Sequence, residues 1–261
     1  MNDFEQSRRW LINAGGAAVL AGAIPMRPAA AKGAGAAARG GAGRASVPDP
    51  AYVSPLTTTL SEYVAATPDR ELPPAVLAAV KLHVLDTIAA MVAGSRLKAG
   101  GLAAKYVAQL GGTPEATVVG THTLTSVVNA AFANAMAAHA DESDDSNPVG
   151  PFHPGCACVP AALAIAEHTG RGGMEVLRAV TLGYDVGTRL LQSLGGTKHN
   201  PACMTNTFAA TATSAAMLRL SADQVRYALS YAGQQASGIG YWDRDLQHIE
   251  KAFDFGGMGA R

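Results

Sequence analysis

The densest run of chemistry-bearing side chains is His139-Ala140-Asp141-Glu142-Ser143-Asp144-Asp145-Ser146, followed by Phe152-His153-Pro154-Gly155. The carboxylates of Asp141, Glu142, Asp144 and Asp145 crowd into five consecutive positions. They fall where a helix is expected to end, and the macrodipole there disfavours negative charge. Solvent, a metal, or nearby His and Lys must offset the repulsion. Two further polar clusters lie downstream, Lys198-His199-Asn200 and the segment from Trp242 through Asp243, Arg244, Asp245 and His248 to Lys251. If these clusters meet, the pocket holds a carboxylate base for a proton next to a carboxylate, an imidazole acid for a leaving hydroxyl, and cations for enolate charge.

Each residue type also has a plainer reading. The acidic segment suits a solvated loop whose Asp side chains make turns, and an isolated histidine such as His153 is more often structural. A second chemical reading places a hard divalent ion among Asp141, Asp144, Asp145 and His153, as in a metal-dependent hydrolase. Cys156 and Cys158 are one residue apart, not the two usual in zinc or thioredoxin sites, and with Cys203 they read as structural. No phosphate-binding loop, nucleophile elbow or H-E-x-x-H pair occurs, so no dinucleotide or nucleotide cofactor is expected.

The elements that must position these groups read as helices. Pro73-Pro74 can start one, Leu77, Val80, Val84, Ile88 and Met91 recur at helical spacing, and Gly94 can close it with a left-handed residue. Further helices are expected over residues 97–110, 123–140, 159–168, 174–194 and 205–218. Ser221 with Gln224 forms a capping box that opens another, running to Ala236. Residues 116–119 read as a loop or isolated strand, and the Gly-rich end at residues 256–259 as a turn with no closing helix, so the sequence reads as a fragment. The fold class is all-α.

Lys plus Arg and Asp plus Glu both number 20, leaving no net charge. A protein built for nucleic acid or anionic lipid carries a cationic surplus, so neither is an expected partner. Apolar residues make up 48% and aromatic ones 6%, which suits helices packed closely through small aliphatic side chains. Residues 1–31 read as a twin-arginine signal: Arg8-Arg9 precede an apolar Gly/Ala run that is too short for the roughly 20 residues a bilayer crossing needs. No stable membrane span is expected, and the location implied is periplasmic or exported. Residues 32–54 read as a flexible leader and residues 55–261 as the folded domain.

Leu85-Asp86-Thr87-Ile88-Ala89 with Ala93-Gly94, Gly111-Gly112-Thr113-Pro114, and the run from Asn134 to His139 with the acidic cluster and His153-Pro154 together resemble the MmgE/PrpD family. That family includes 2-methylcitrate dehydratase and cis-aconitate decarboxylase. The resemblance, over residues 57–261, implies an MmgE/PrpD-like helical domain that lacks the family's smaller α+β domain, a homodimer, and no required cofactor or metal. It implies a carbon–oxygen lyase or related decarboxylase acting on a small di- or tricarboxylate. Carried onto this chain, the catalytic positions fall on Glu142 or its neighbours Asp141 and Asp144, and on Ser146, His153, His199 and Lys251. Glu142 stands where relatives usually have Asp. The shortened length carries the alternative of a non-catalytic exported helical remnant or carboxylate-binding protein.

Overall fold

The computed structural model describes residues 52–149, 152–194, 201–236 and 245–261. The signal, most of the leader, and the cluster at Lys198, His199 and Asn200 lie outside the described residues, as do Trp242, Asp243 and Arg244. The described fold is all-α apart from one small β ladder.

Helix α1 covers Pro55–Ala66, α2 Pro74–Gly94 and α3 Lys98–Leu110. A two-residue strand β1, Ala116–Thr117, pairs antiparallel with β2, Leu124–Thr125, so residues 116–119 belong to a hairpin and not to a free loop. Helix α4 runs over Val127–Ala138, α5 over Gly155–Thr169, α6 over Gly173–Ser193, α7 over Pro201–Leu218 and α8 over Ala222–Gln235. After the short α9, Ile249–Lys251, the chain widens into a π-helical turn over Ala252–Gly257 and ends in α10, Met258–Ala260.

Helix α5 is the hub. From Gly155 through Ala162 every residue is buried, and the helix packs on α4, α6 and α7. Phe152, just before it, is wholly buried against Gly187 of α6 and anchors a core that includes Val159, Val180, Leu182 and Met217. The ends of the expected helices shift for identifiable reasons. Helix α4 starts at Val127, not residue 123, because Leu124 and Thr125 are held in the ladder and Ser126 caps the helix by accepting from the Asn129 N–H. Buried Asn134 straps the hairpin to α4: its Nδ2 donates to Thr117 O at 2.9 Å, and its Oδ1 accepts from Val119 N at 2.8 Å. Helix α5 starts at Gly155, one turn before residue 159, because the Asp145 carboxylate accepts the Gly155 N–H. The Ser221–Gln224 capping box is present in both directions, as its spacing predicts.

Two glycines act through close approach. Gly94 ends α2 as expected but not in the left-handed region; a Cβ there would overlap the Ala137 carbonyl of α4. At Gly256 a Cβ would overlap Ala135 O, so the Gly-rich end continues in helical form against α4 where a turn was expected. Helix α2 is long and apolar enough to cross a membrane. It lies along α4, α5 and α6 with Val80, Thr87, Ala90 and Met91 buried, while Leu82 and Leu85 on its other face are exposed.

Gly94→Ala is expected to destabilise the fold by about 1–3 kcal/mol, because the added methyl meets backbone and not a yielding side chain. Gly101, also helical, has open space around its Cβ position. Gly101→Ala should therefore stabilise by about 0.5–1 kcal/mol. Chemical denaturation of the two variants beside the parent checks both signs.

Candidate active site

The site forms where α4 ends. His139 is the residue after the last turn, its N–H still donating to Ala135 O, and its imidazole is fully buried. Its Nδ1 faces both Asp144 oxygens, at 2.9 and 3.1 Å, and both side chains are wholly inaccessible. With Nδ1–H directed at the carboxylate, Nε2 is the remaining ring nitrogen, and it has no hydrogen-bond partner among the described residues. The ring lies flat on Phe255, 4.9 Å between centroids and 9° between planes. Phe255 comes from the π-helical turn, which buried Asn206 of α7 anchors by donating from Nδ2 to Phe255 O at 2.9 Å.

Around this pair sit the other groups. His153 packs edge-on to His139 with ring centroids 4.8 Å apart, and its Nδ1 is 3.7 Å from Asp144 Oδ1. Its side chain is 14% exposed, and Nδ1 makes no hydrogen bond. His248 lies on another side, 5.4 Å from His139 between centroids and 3.6 Å from Glu142 Oε1 through its Nδ1. Lys251 Nζ bonds Glu142 directly and sits 5.3 Å from the centre of the Phe255 ring. The contacts therefore run without a break from His153 through His139 and His248 to Glu142 and Lys251. Glu142 and His248 both occupy the left-handed backbone region, at φ 58° and 54°. Residues with a Cβ adopt that region only where surroundings over-determine it.

The charged groups respond to these neighbours. Burial pushes the Glu142 carboxyl up, but the Lys251 bond and the nearby Lys251, His139 and His248 charges outweigh it, and the net direction is down. Burial, with His139 beside it, lowers His248. Burial raises Asp145 above the ordinary carboxylate range, against a hydrogen bond from Tyr184 Oη at 2.7 Å. Asp245 is the local cap for Lys251: burial raises it, but N–H groups led by that of Lys251 bring it down overall.

Of the residues expected from the sequence, Glu142, Asp144, His153 and Lys251 come together. Asp141 does not join them; it is exposed and accepts from the Ser143 N–H at 3.2 Å. Ser146 is exposed and makes no hydrogen bond to the others among the described residues. His199 lies outside those residues. Asp141, Asp144, Asp145 and His153 do not form one ligand set. The groups able to share an ion among the described residues are His139 with Asp144 and Cys156, and His139 with Glu142 and His248. Sequence reasoning placed His139 and His248 in the polar clusters but gave neither a role, since His139 looked like a helix end and His248 sat in a long polar run. The one usable signal was that buried carboxylates need a partner, and His139 is the basic residue nearest the cluster. Elsewhere, a groove of about 360 Å³ lined by Leu102, Tyr106, Leu110, Phe132 and Phe253 offers no acid–base pair.

The family model of the MmgE/PrpD N-terminal domain matches residues 58–260. The chain is 26% identical over 212 residues to the cis-aconitate decarboxylase-like protein oryM of Aspergillus oryzae. That match covers 76% of this chain and 44% of the relative, so the chain spans less than half the relative's length.

Because Glu142 is depressed when folded, its stabilising contribution is present above its unfolded pKa and is lost as pH falls through the lower folded value. The carboxyl carbon of Glu142, followed by NMR, is expected to titrate below an ordinary glutamate. In Lys251→Met the loss of the hydrogen bond and charge that chiefly oppose burial should move that midpoint upward. An unmoved midpoint would show that the ammonium does not set the carboxylate's charge.

Proposed function

The chain belongs to the MmgE/PrpD family, which is of dehydratase and decarboxylase type, and from that premise we propose that this site performs acid–base lyase chemistry on a small di- or tricarboxylate. The observation that carries the reading is the junction of a partly exposed Glu142, its pKa lowered, with the Lys251 ammonium, beside His248 and the unpartnered Nδ1 of His153.

Loss of water from a β-hydroxy acid needs a base at the carbon next to a carboxylate and an acid at the departing hydroxyl. Loss of carbon dioxide from an unsaturated tricarboxylate needs a cation beside the developing carbanion and an acid to protonate it. Glu142 takes the proton in the first case. Lys251 pairs with a substrate carboxylate and stabilises the enolate charge in both. His153 supplies the proton, and buried Asp144 and His139 fix the ring that stands over it. A longer side chain at Glu142, where relatives usually carry Asp, displaces the base by about an ångström, which selects among substrates of different length. In this reading the protein acts as a homodimer after export through the Arg8-Arg9 signal.

A second reading is a carboxylate-binding protein without turnover, in which the Lys251 ammonium at Glu142 holds a ligand carboxylate and no proton moves. Titration calorimetry with citrate- and aconitate-type tricarboxylates, together with assays for unsaturated product and released carbon dioxide, separates the two. For the lyase, Glu142→Gln and Lys251→Met are each expected to cut turnover by about 100-fold or more with the melting temperature nearly unchanged. Binding without turnover would favour the second reading. Neither binding nor turnover, or variants that behave as the parent does, would overturn both.

A further inference from the structure

We propose that His139, Glu142 and His248 form a binding site for a divalent transition-metal ion of the zinc class, which competes with the Lys251 ammonium for Glu142 and so holds the site inactive when bound. One ligand atom from each of the three lies within 4.8 Å of the other two. On a tetrahedral ion with bonds near 2.1 Å, ligand atoms stand about 3.4 Å apart, so modest side-chain rotation closes the set. The Glu142 side chain is 39% exposed, which leaves room on its solvent side for that rotation once Lys251 is displaced.

The surroundings are those a metal-binding histidine needs. Asp144 takes the Nδ1–H of His139, which leaves Nε2 as the donor atom and orients the ring, the usual arrangement behind a ligating imidazole. That Nε2 is buried and without a hydrogen-bond partner among the described residues, and so is Nε2 of His248. A buried polar atom left unsatisfied is costly, and two of them on neighbouring rings call for an occupant. Two imidazoles and one carboxylate match Zn²⁺, Co²⁺ or Ni²⁺, not the all-oxygen preference of Mg²⁺ or Ca²⁺.

The neighbouring set of His139, Asp144 and Cys156 is a poorer host. The Cys156 thiol is fully buried, which pushes its pKa well up, and it already donates to His153 O at 3.1 Å. An ion there would have to displace the proton of a fully buried, hydrogen-bonded thiol. In the favoured set the obstacle is electrostatic: an ion cannot share Glu142 with an ammonium at hydrogen-bonding distance. Occupancy therefore displaces Lys251 and neutralises the carboxylate.

The inhibitory consequence rests on the lyase reading, whereas the binding does not. The test titrates the full chain with Co²⁺ and follows visible d–d absorption, with Zn²⁺ displacement measured by calorimetry. Lys251→Met is expected to tighten binding at least 10-fold, a direction that loss of a merely structural contact would not produce. His248→Ala is expected to weaken it at least 10-fold, and circular dichroism and thermal melting check that both variants fold. No absorption in either the parent or Lys251→Met, or binding unchanged in His248→Ala, would overturn the site. Metal binding without any tricarboxylate turnover would leave the site standing and remove the lyase reading; turnover insensitive to bound metal would remove the inhibition alone.

Discussion

The pair between His139 and Asp144 is the constraint on which the site depends. Both side chains are fully buried, so each would leave the other an uncompensated polar or charged group if removed, a loss worth several kcal/mol. The pair ties the last turn of α4 to a loop five residues on. That closure forces the backbone between them through a reversal in which Glu142 takes a left-handed conformation and turns outward. The partly exposed base therefore exists because a buried acid beneath it is fixed. Phe255, stacked on the imidazole, seals the pair from water and gives the interaction its low-dielectric setting.

Small residues make that seal possible. Alanines at 130, 131, 133, 135, 137 and 138 let neighbouring backbones approach α4 on several sides, and Gly94 and Gly256 remove the last obstructing methyl groups. The π-helical turn can then lie flat against α4 and aim both Phe255 and Lys251 at the end of that helix. A wider π turn interrupts regular hydrogen bonding and recurs at functional places for that reason: it redirects side chains without ending the helix. The composition, rich in alanine and poor in aromatics, is thus connected to the chemistry, since bulkier packing would hold residues 249–257 away from Glu142.

Much of this was legible in the residues. Helical spacing from Leu77 to Met91, the Pro and Gly limits of α2, and the Ser221–Gln224 box all describe interactions local to one helix, and the structure contains them. The failures involve partners distant in sequence. Thr117 and Leu124 become a ladder because Asn134 and Glu167 bind the hairpin from two helices. Gly94 looked like a left-handed cap because its neighbour on α4 is invisible from local sequence. At the site, the acidic cluster was conspicuous by composition, and the approach of Lys251 followed from family order. His139 was the harder case: it reads as the end of a helix until the burial of Asp144 is known.

The crowding of four carboxylates at the wrong end of a helix is resolved by giving each a different environment. Asp141 stays in solvent. Asp144 turns inward to His139. Asp145 crosses to the start of α5, where the Gly155 N–H, Tyr184 and His83, at 2.8 Å, surround it at the favourable end of a helix dipole. Glu142 combines a lowered pKa with access to solvent, and it owes that combination to Lys251, more than a hundred positions away in the chain. Identical chemistry at neighbouring positions thus divides into one solvated turn former, two buried or half-buried anchors and one ion-paired group that reaches solvent. The division follows from which partner each carboxylate meets, and it explains why a segment that sequence alone cannot distinguish from a solvated loop presents one carboxylate that is both ion-paired with Lys251 and open to solvent.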